Sequence, residues 1–226
     1  MNTVAVILPV LNEEDVLPDL LQRIQSWGAD EIIFVDGGSS DHTPQLLAAS
    51  GVKWMHGRPG RAVQMNMGAS EVQCSIFLFL HIDTVISSSC IESVKDAMND
   101  PDVVGGRFDV QLSGRHPAFR MIEWFINWRS RITKISTGDQ AMFVRRDVFR
   151  HLGGFLDIPL MEDVEFSRRL KRQGRITCLW QQVMTSSRRW EKHGIVRTIL
   201  LMWWLRFRYW IGTNPAVLKR HYVDHS

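Results

Sequence analysis

Residues 3–38, TVAVILPVLNEEDVLPDLLQRIQSWGADEIIFVDGG, decide the fold class. The stretch opens with a short, β-branched apolar run interrupted by Pro9, the pattern of a strand buried on both faces. Apolar residues then recur at helical spacing behind Asn12. Asn12 is a side chain suited to N-capping, and Glu13, Glu14 and Asp15 crowd the predicted first turn, where the helix dipole favours negative charge. A second buried strand, EIIFV, stops at Asp36-Gly37-Gly38. Strand, helix, strand is a βαβ unit, and it implies parallel pairing.

The alternation continues outward. Residues 43–50 predict a short helix, 52–55 a short strand, 61–71 a helix, and SIFLFL (75–80) another buried strand. The expectation is an α/β chain with a mostly parallel central sheet flanked by helices. Beyond about residue 103 the rhythm weakens. DVVGGRFDVQL (102–112) predicts a strand kinked at its glycines. PAFRMIEWFINWRSR (117–131) predicts an aromatic helix, and QAMFVRR (140–146) a strand. MEDVEFSRRLKRQG (161–174) predicts a helix stopped by Gly174, and RITCLW (175–180) a strand. IVRTILLMWWLRFRYWIG (195–212) is apolar on nearly every side of a helical wheel. Arg197, Arg206 and Arg208 argue against its spanning a bilayer. Burial against the domain and a Trp/Arg helix lying in a membrane interface both fit it.

Net charge is +3 but unevenly placed: residues 1–113 carry 6 Lys/Arg against 15 Asp/Glu, and residues 114–226 carry 21 against 9. The basic second half suits phosphates or an anionic surface. Cys74, Cys90 and Cys178 form no CxxC pair, which argues against a zinc site or disulfide framework and fits a reducing compartment. The N-terminus has no basic run before its apolar residues, so no signal peptide is expected.

In an open α/β sheet, ligands bind beyond the carboxyl ends of the strands. Asn12, Glu13, Asp36 and Asp83 all fall at predicted strand ends; singly each reads as a turn or cap residue, together they read as a site. Neither GxGxxG nor GxxxxGK[ST] is present. GRPGRAVQMNMGA (57–69) is glycine-rich, basic and leads into a helix, an anion-binding arrangement around Arg58 and Arg61.

The ordered series VILPVLNEE (6–14), FVDGGSSDHT (34–43), GRAVQMNMGA (60–69), FLHIDT (79–84), TGDQAMFVRRDVFRHLGGF (137–155) and LMEDVEFSRRLKRQG (160–174) resembles family 2 glycosyltransferases of the GT-A fold. It looks most like the small bacterial transferase 2 subgroup associated with radical-SAM and selenoprotein neighbourhoods. The resemblance implies a GT-A domain over residues 1–190 and a C-terminal helical extension over 191–226. It implies a nucleotide-sugar donor, UDP- or GDP-linked, lying across the strand ends.

Residue by residue, it places Asp36 on the nucleoside base, and Pro9, Asn12 and Glu13 around the same pocket. Arg61 and Asn66 wall the nucleotide. Asp83, the last acid of the family's DxD motif, implies a divalent cation, Mn²⁺ or Mg²⁺. His81 replaces the motif's first acid and stands as a ligand, a ribose contact or a buried structural histidine. Asp163 stands as catalytic base with Glu162 in support, the chemistry of one inverting displacement. Asp139 and Gln140 are sugar-site candidates, and Arg189 a diphosphate contact. SSRRW (186–190) departs from the QxxRW motif of processive members. A nucleotidyltransferase and a non-catalytic partner- or membrane-binding module are the alternatives. A lipid-linked acceptor and peripheral contact at the cytoplasmic face of a membrane are further expectations; a nucleic-acid partner is not expected.

Overall fold

The computed structural model describes residues 1–224; the side chains of Arg189, Val223 and Asp224 lie outside the described residues. The chain runs β1 (Val4–Val10), α1 (Leu17–Arg23), β2 (Glu31–Asp36), α2 (Thr43–Ser50), β3 (Lys53–His56), α3 (Arg61–Glu71), β4 (Ile76–Phe79), β5 (Thr84–Val85) and α4 (Ser88–Ala97). It continues through β6 (Val103–Leu112), α5 (Pro117–Thr133), β7 (Met142–Arg145), α6 (Arg146–His151), α7 (Glu162–Leu170), β8 (Arg175–Thr185), α8 (Arg188–His193), α9 (Ile195–Trp210) and α10 (Pro215–Asp224).

One eight-stranded sheet has the order β3-β2-β1-β4-β7-β6-β8-β5. The four N-terminal strands pair in parallel, as their crossover helices require. β7 enters antiparallel between β4 and β6, and β5 antiparallel at the edge of β8. This is the α/β fold expected, with the C-terminal helices packed onto it.

The side chains of β1 divide between two cores, as a doubly covered sheet demands. Val4, Val6, Leu8 and Val10 point into a layer with Leu17, Leu20, Trp27 and Leu47. Ala5 and Ile7 point into the layer holding Met65, Phe149 and Phe166. Gly68 of α3 crosses this second layer closely: a Cβ there would stand 2.6 Å from Ile7 Cγ2. At the glycine pair of β6, the cause is also close approach, since added Cβ atoms would meet Phe143 O at 2.5 Å and Thr177 O at 2.4 Å. Register shifts do flank the pair.

Two local expectations need correcting. Asn12 does not cap α1. It sits at φ 54° in the preceding loop, and the helix starts at Leu17, where Pro18 occupies the first turn. Gly174 does not stop α7, which ends at Leu170; Gly174 instead accommodates Val104, whose Cγ1 would lie 2.5 Å from an added Cβ. Several arginines of the second half tie segments of the chain together. Arg131 pairs with buried Asp109, Arg145 donates to the carbonyls of Met98, Asp100 and Val103, and Arg169 pairs with Glu165 while donating to Leu152 O and Gly154 O.

The C-terminal helices are half-embedded. Leu205 and Leu218 are fully buried against Met161 and Val164, and Ile195 and Ile199 pack on Phe119 and Ile122 of α5. No helix among the described residues is long and apolar enough to cross a membrane.

Candidate active site

Strand pairing assembles the site. Phe79 at the end of β4 lies opposite Met142 at the start of β7. The segment leaving β4, His81-Ile82-Asp83, therefore runs beside the Thr137–Gln140 turn entering β7. Past Asp83 the chain forms β5, whose Thr84 pairs with Thr185 of β8. Four segments thus meet at one rim, and α7 points its N-terminus at them. Arg61, His81, Asp83, Asp139, Glu162 and Asp163 line a common cavity of about 260 Å³.

Asp163 is held by two backbone donors, Val164 N to Oδ1 and Gly138 N to Oδ2, both at 2.7 Å. Burial raises its pKa above the ordinary carboxylate value, outweighing the charge of Arg61 and the two hydrogen bonds, which favour the ionised form. Glu162 is raised by burial and by the neighbouring Asp163, and Arg61 Nη1 approaches its Oε1 at 3.5 Å. Glu165, in the same first turn, is committed to Arg169. Met161, which caps this helix, has φ 70°, a left-handed conformation that costs a non-glycine residue energy. Ala141, after the 137–140 turn, has φ 47°. Both strained positions adjoin the acids.

Asp83 is raised by burial and by the charge of Asp139. Asp139 Oδ1 is buried with no hydrogen-bond partner. Glu13 is raised by burial and then by Asp83, so the loop after β1 reaches the same acids. His81 is pushed well below the ordinary imidazole value by burial and by Arg61. Its ring packs on Gly138: a Cβ there would lie 2.4 Å from Cε1 and Nε2.

Asp36, Pro9, Asn12, Asn66 and Gln140 do not line this cavity. Asp36 is fully buried, accepting from Ser39 Oγ at 2.5 Å and from the backbone of Gly38 and Ser39, with His56 Nδ1 at 3.2 Å. Pro9 lies opposite Val35 in the β1–β2 ladder. Asn12 Oδ1 accepts from Ser40 N at 2.8 Å. Asn66 spends its amide on Phe155, donating to its carbonyl and accepting from its N–H. Gln140 is likewise spent. It is fully buried, receives Thr137 N and Oγ1, and donates to Ser130 Oγ. The side chain of Arg189 lies outside the described residues.

Four residues were not singled out from sequence. Gln64 is buried in α3 and donates to Val10 O and Val35 O, tying the ends of β1 and β2 beneath Gly37. The charge of Arg188, next to the arginine chosen from the motif, reaches Glu13 and Asp83. Arg129 of α5 is lowered to about 10 by burial and by Arg206, while Asp139 and Asp163 oppose the shift; its Nε and Nη2 are buried without partners. Arg206 of α9 lines the cavity and bears on Asp163. An arginine among aromatics gives no sequence signal of which way it faces. That information comes only from packing.

Two carboxylates from the chain, one with an orphaned buried oxygen, suit a hard divalent cation that takes its other ligands from a phosphate and water. Among the described residues no cluster of three or more candidate ligands forms. A cation would therefore be held jointly with a ligand.

The model of glycosyl transferase family 2 matches residues 5–153. No curated protein matches the chain. Among solved structures, S. aureus TarS 1-349 in complex with UDP superposes with TM-score 0.67 at 17% identity, over 81% of this chain and 60% of that one. The mannosyltransferase PcManGT from Pyrobaculum calidifontis, in complex with GDP-Man and Mn²⁺, gives 0.63 at 19%, over 80% and 56%. Glucosyl-3-phosphoglycerate synthase from Mycobacterium tuberculosis, with Mn²⁺, UDP and glucosyl-3-phosphoglycerate, gives 0.59 at 18%, over 80% and 70%. The chain thus spans about 60% of the length of TarS 1-349. These likenesses show a shared fold, and the match over residues 5–153 shows that the chain belongs to glycosyl transferase family 2.

Proposed function

We propose that the protein transfers a sugar from a nucleoside-diphosphate donor to an acceptor hydroxyl with inversion. The observation that carries this reading is the convergence of Asp83, Asp139, Glu162 and Asp163 on one cavity, with Asp139 Oδ1 buried and unpartnered. The solved relatives in complex with UDP, GDP-Man and Mn²⁺ support it. Our reading also keeps the chain in the bacterial transferase 2 subgroup that its motif series resembles.

In this reading the nucleoside lies over the ends of β1 and β2. Asp36 organises the Gly37–Ser39 turn beneath it, and Gln64 fixes both strand ends. Pro9, Asn12 and Glu13 border it, and Asn66 and Gln140 hold neighbouring turns in place. Asp83 and Asp139 would hold Mn²⁺ or Mg²⁺ together with the diphosphate; when bound, the cation supplies positive charge against the leaving group. Arg61 and Arg188 add cationic charge beside it. Asp163 accepts the acceptor's hydroxyl proton as that oxygen bonds to the anomeric carbon. The anomeric carbon–diphosphate bond breaks on the opposite face, and its electron pair leaves with the nucleoside diphosphate. A single base suffices, with Glu162 holding Arg61 nearby.

The test is calorimetric titration of UDP- and GDP-sugars with Mn²⁺, Mg²⁺ or chelator. Wild type should bind one donor in a cation-dependent way. Asp83→Asn should lose that binding. Asp163→Asn should keep it while losing about 10²- to 10⁴-fold in transfer. Failure of folded protein to bind any donor would return the reading to a non-catalytic module.

A further inference from the structure

Helix α9 presents two different faces. Its inner face is buried through Thr198 and Leu205, and Met202 and Arg206 line the active-site cavity. Its outer face carries Leu200, Trp203, Trp204, Phe207, Trp210 and Ile211, each 39–72% exposed. At helical spacing these six fall within an arc of roughly 120°. Helix α5 has a matching stripe, Met121, Trp124, Phe125, Trp128 and Ile132, each 44–62% exposed. Trp124 and Trp128 stack with ring centroids 5.7 Å apart. The two helices meet through Phe119 and Ile122 against Ile195 and Ile199. A folded chain seldom leaves this much aromatic surface to water without use for it.

The charge around the stripes selects the occupant. Helix α9 contains no Asp or Glu, while Arg197 and Arg208 follow one edge of its stripe. Arg208 lies over the Trp204 ring at 5.7 Å. Helix α10 adds Lys219 and Arg220. The one carboxylate of α5, Glu123, is turned inward, accepting from Leu112 N and pairing with Arg120. A second copy docked on this face would oppose like charges. Trp rings and the long stems of arginines, apolar at one end and polar at the other, suit the headgroup level of a bilayer. An apolar stripe with a cationic edge is the surface of a helix lying in an anionic interface.

We propose that α5 and α9 together dock the protein on an anionic lipid surface. The inner face of α9 then walls the cavity for an acceptor resident in that surface. The acceptor half of this statement rests on the sugar-transfer reading; the docking half does not.

The experiment is co-sedimentation of the full chain with vesicles of phosphatidylcholine, alone or mixed with phosphatidylglycerol, with tryptophan fluorescence read in parallel. Wild type should pellet with the mixed vesicles and shift its emission to the blue. Trp203→Ser/Phe207→Ser and Trp124→Ser/Trp128→Ser, all at exposed positions, should melt as wild type and each partition about tenfold or more weakly. Wild type remaining in the supernatant with mixed vesicles would overturn the proposal. So would variants that bind equally, or a dimer in sedimentation velocity that these substitutions dissolve. Donor binding without vesicle binding would sink the docking alone. Vesicle binding without donor binding would sink the sugar-transfer reading alone.

Discussion

Gly138 stands between the residue that departs from the family motif and the proposed base, so Gly138→Ala probes both. Its backbone is outside the left-handed region, and alanine meets no dihedral penalty there. The added Cβ would lie 2.4 Å from His81 Cε1 and Nε2, where ordinary contact begins at 3.4 Å. Relieving an overlap of this size costs about 1–3 kcal/mol. For a chain of this length that lowers Tm by about 2–12 °C. If the turn moves instead of the ring, the 2.7 Å bond from Gly138 N to Asp163 Oδ2 stretches. A misplacement of the base on the order of 1 Å costs about 10²-fold in rate. The assay is a thermal melt and a transfer rate on Gly138→Ala, His81→Ala and the double variant. Removing the ring should restore most of the lost Tm, a coupling of about 1–3 kcal/mol. A single variant that melts and turns over as wild type would refute the reasoning, as would a double variant no more stable than the sum of the two singles.

Removing Arg61 should move the acid limb of the transfer profile. Its charge draws Asp163 and Glu162 down, so Arg61→Ala should shift the limb to higher pH and Arg61→Lys should leave it near wild type; a limb unmoved in the alanine variant refutes this. Asp83→Asn should stabilise the protein at pH 7 while abolishing cation-dependent donor binding. The Asp83 carboxyl is raised by burial and by Asp139, so the native state holds its proton more tightly than the unfolded chain does. Its contribution to stability is full below the ordinary value of 3.8 and is lost as pH rises through the folded value. The gain in Tm should therefore shrink towards pH 4; a gain independent of pH would show that the charge is not its cause. In wild type at pH 7, Mn²⁺ should raise Tm, and in Asp83→Asn it should not.

Much of the fold was legible because the N-terminal strands are buried on both faces and therefore written as continuous apolar runs. The entry of β7 between β4 and β6 was not, because antiparallel and parallel strands of that length carry the same residues. The acids at the rim were found by their places at strand ends and by motif resemblance. Whether an amide there faces ligand or backbone was not readable, and Asn66 and Gln140 both proved to be bound to neighbouring turns. Gln64 escaped notice because a glutamine in a helix is usually solvated, and only the ends of β1 and β2 reveal its use. Composition likewise does not show that Arg131, Arg145 and Arg169 of the basic second half tie segments of the chain together. The apolar α9 sequence fitted both burial and interface location because one side of the helix is buried and the other carries exposed aromatic residues.

The strand order also has a consequence for synthesis. β4 is made with Ile76–Phe79 facing β1 on one side, and its other edge waits for β7, roughly sixty residues later. At ribosomal speed that is on the order of 3–12 s during which an apolar IFLF edge lies open to any passing strand. β6 is made before β7 and cannot seal that edge without excluding its successor. The nascent chain therefore has a defined window of vulnerability, and it closes only when Met142–Arg145 emerges, directly behind the Thr137–Gln140 turn of the candidate site.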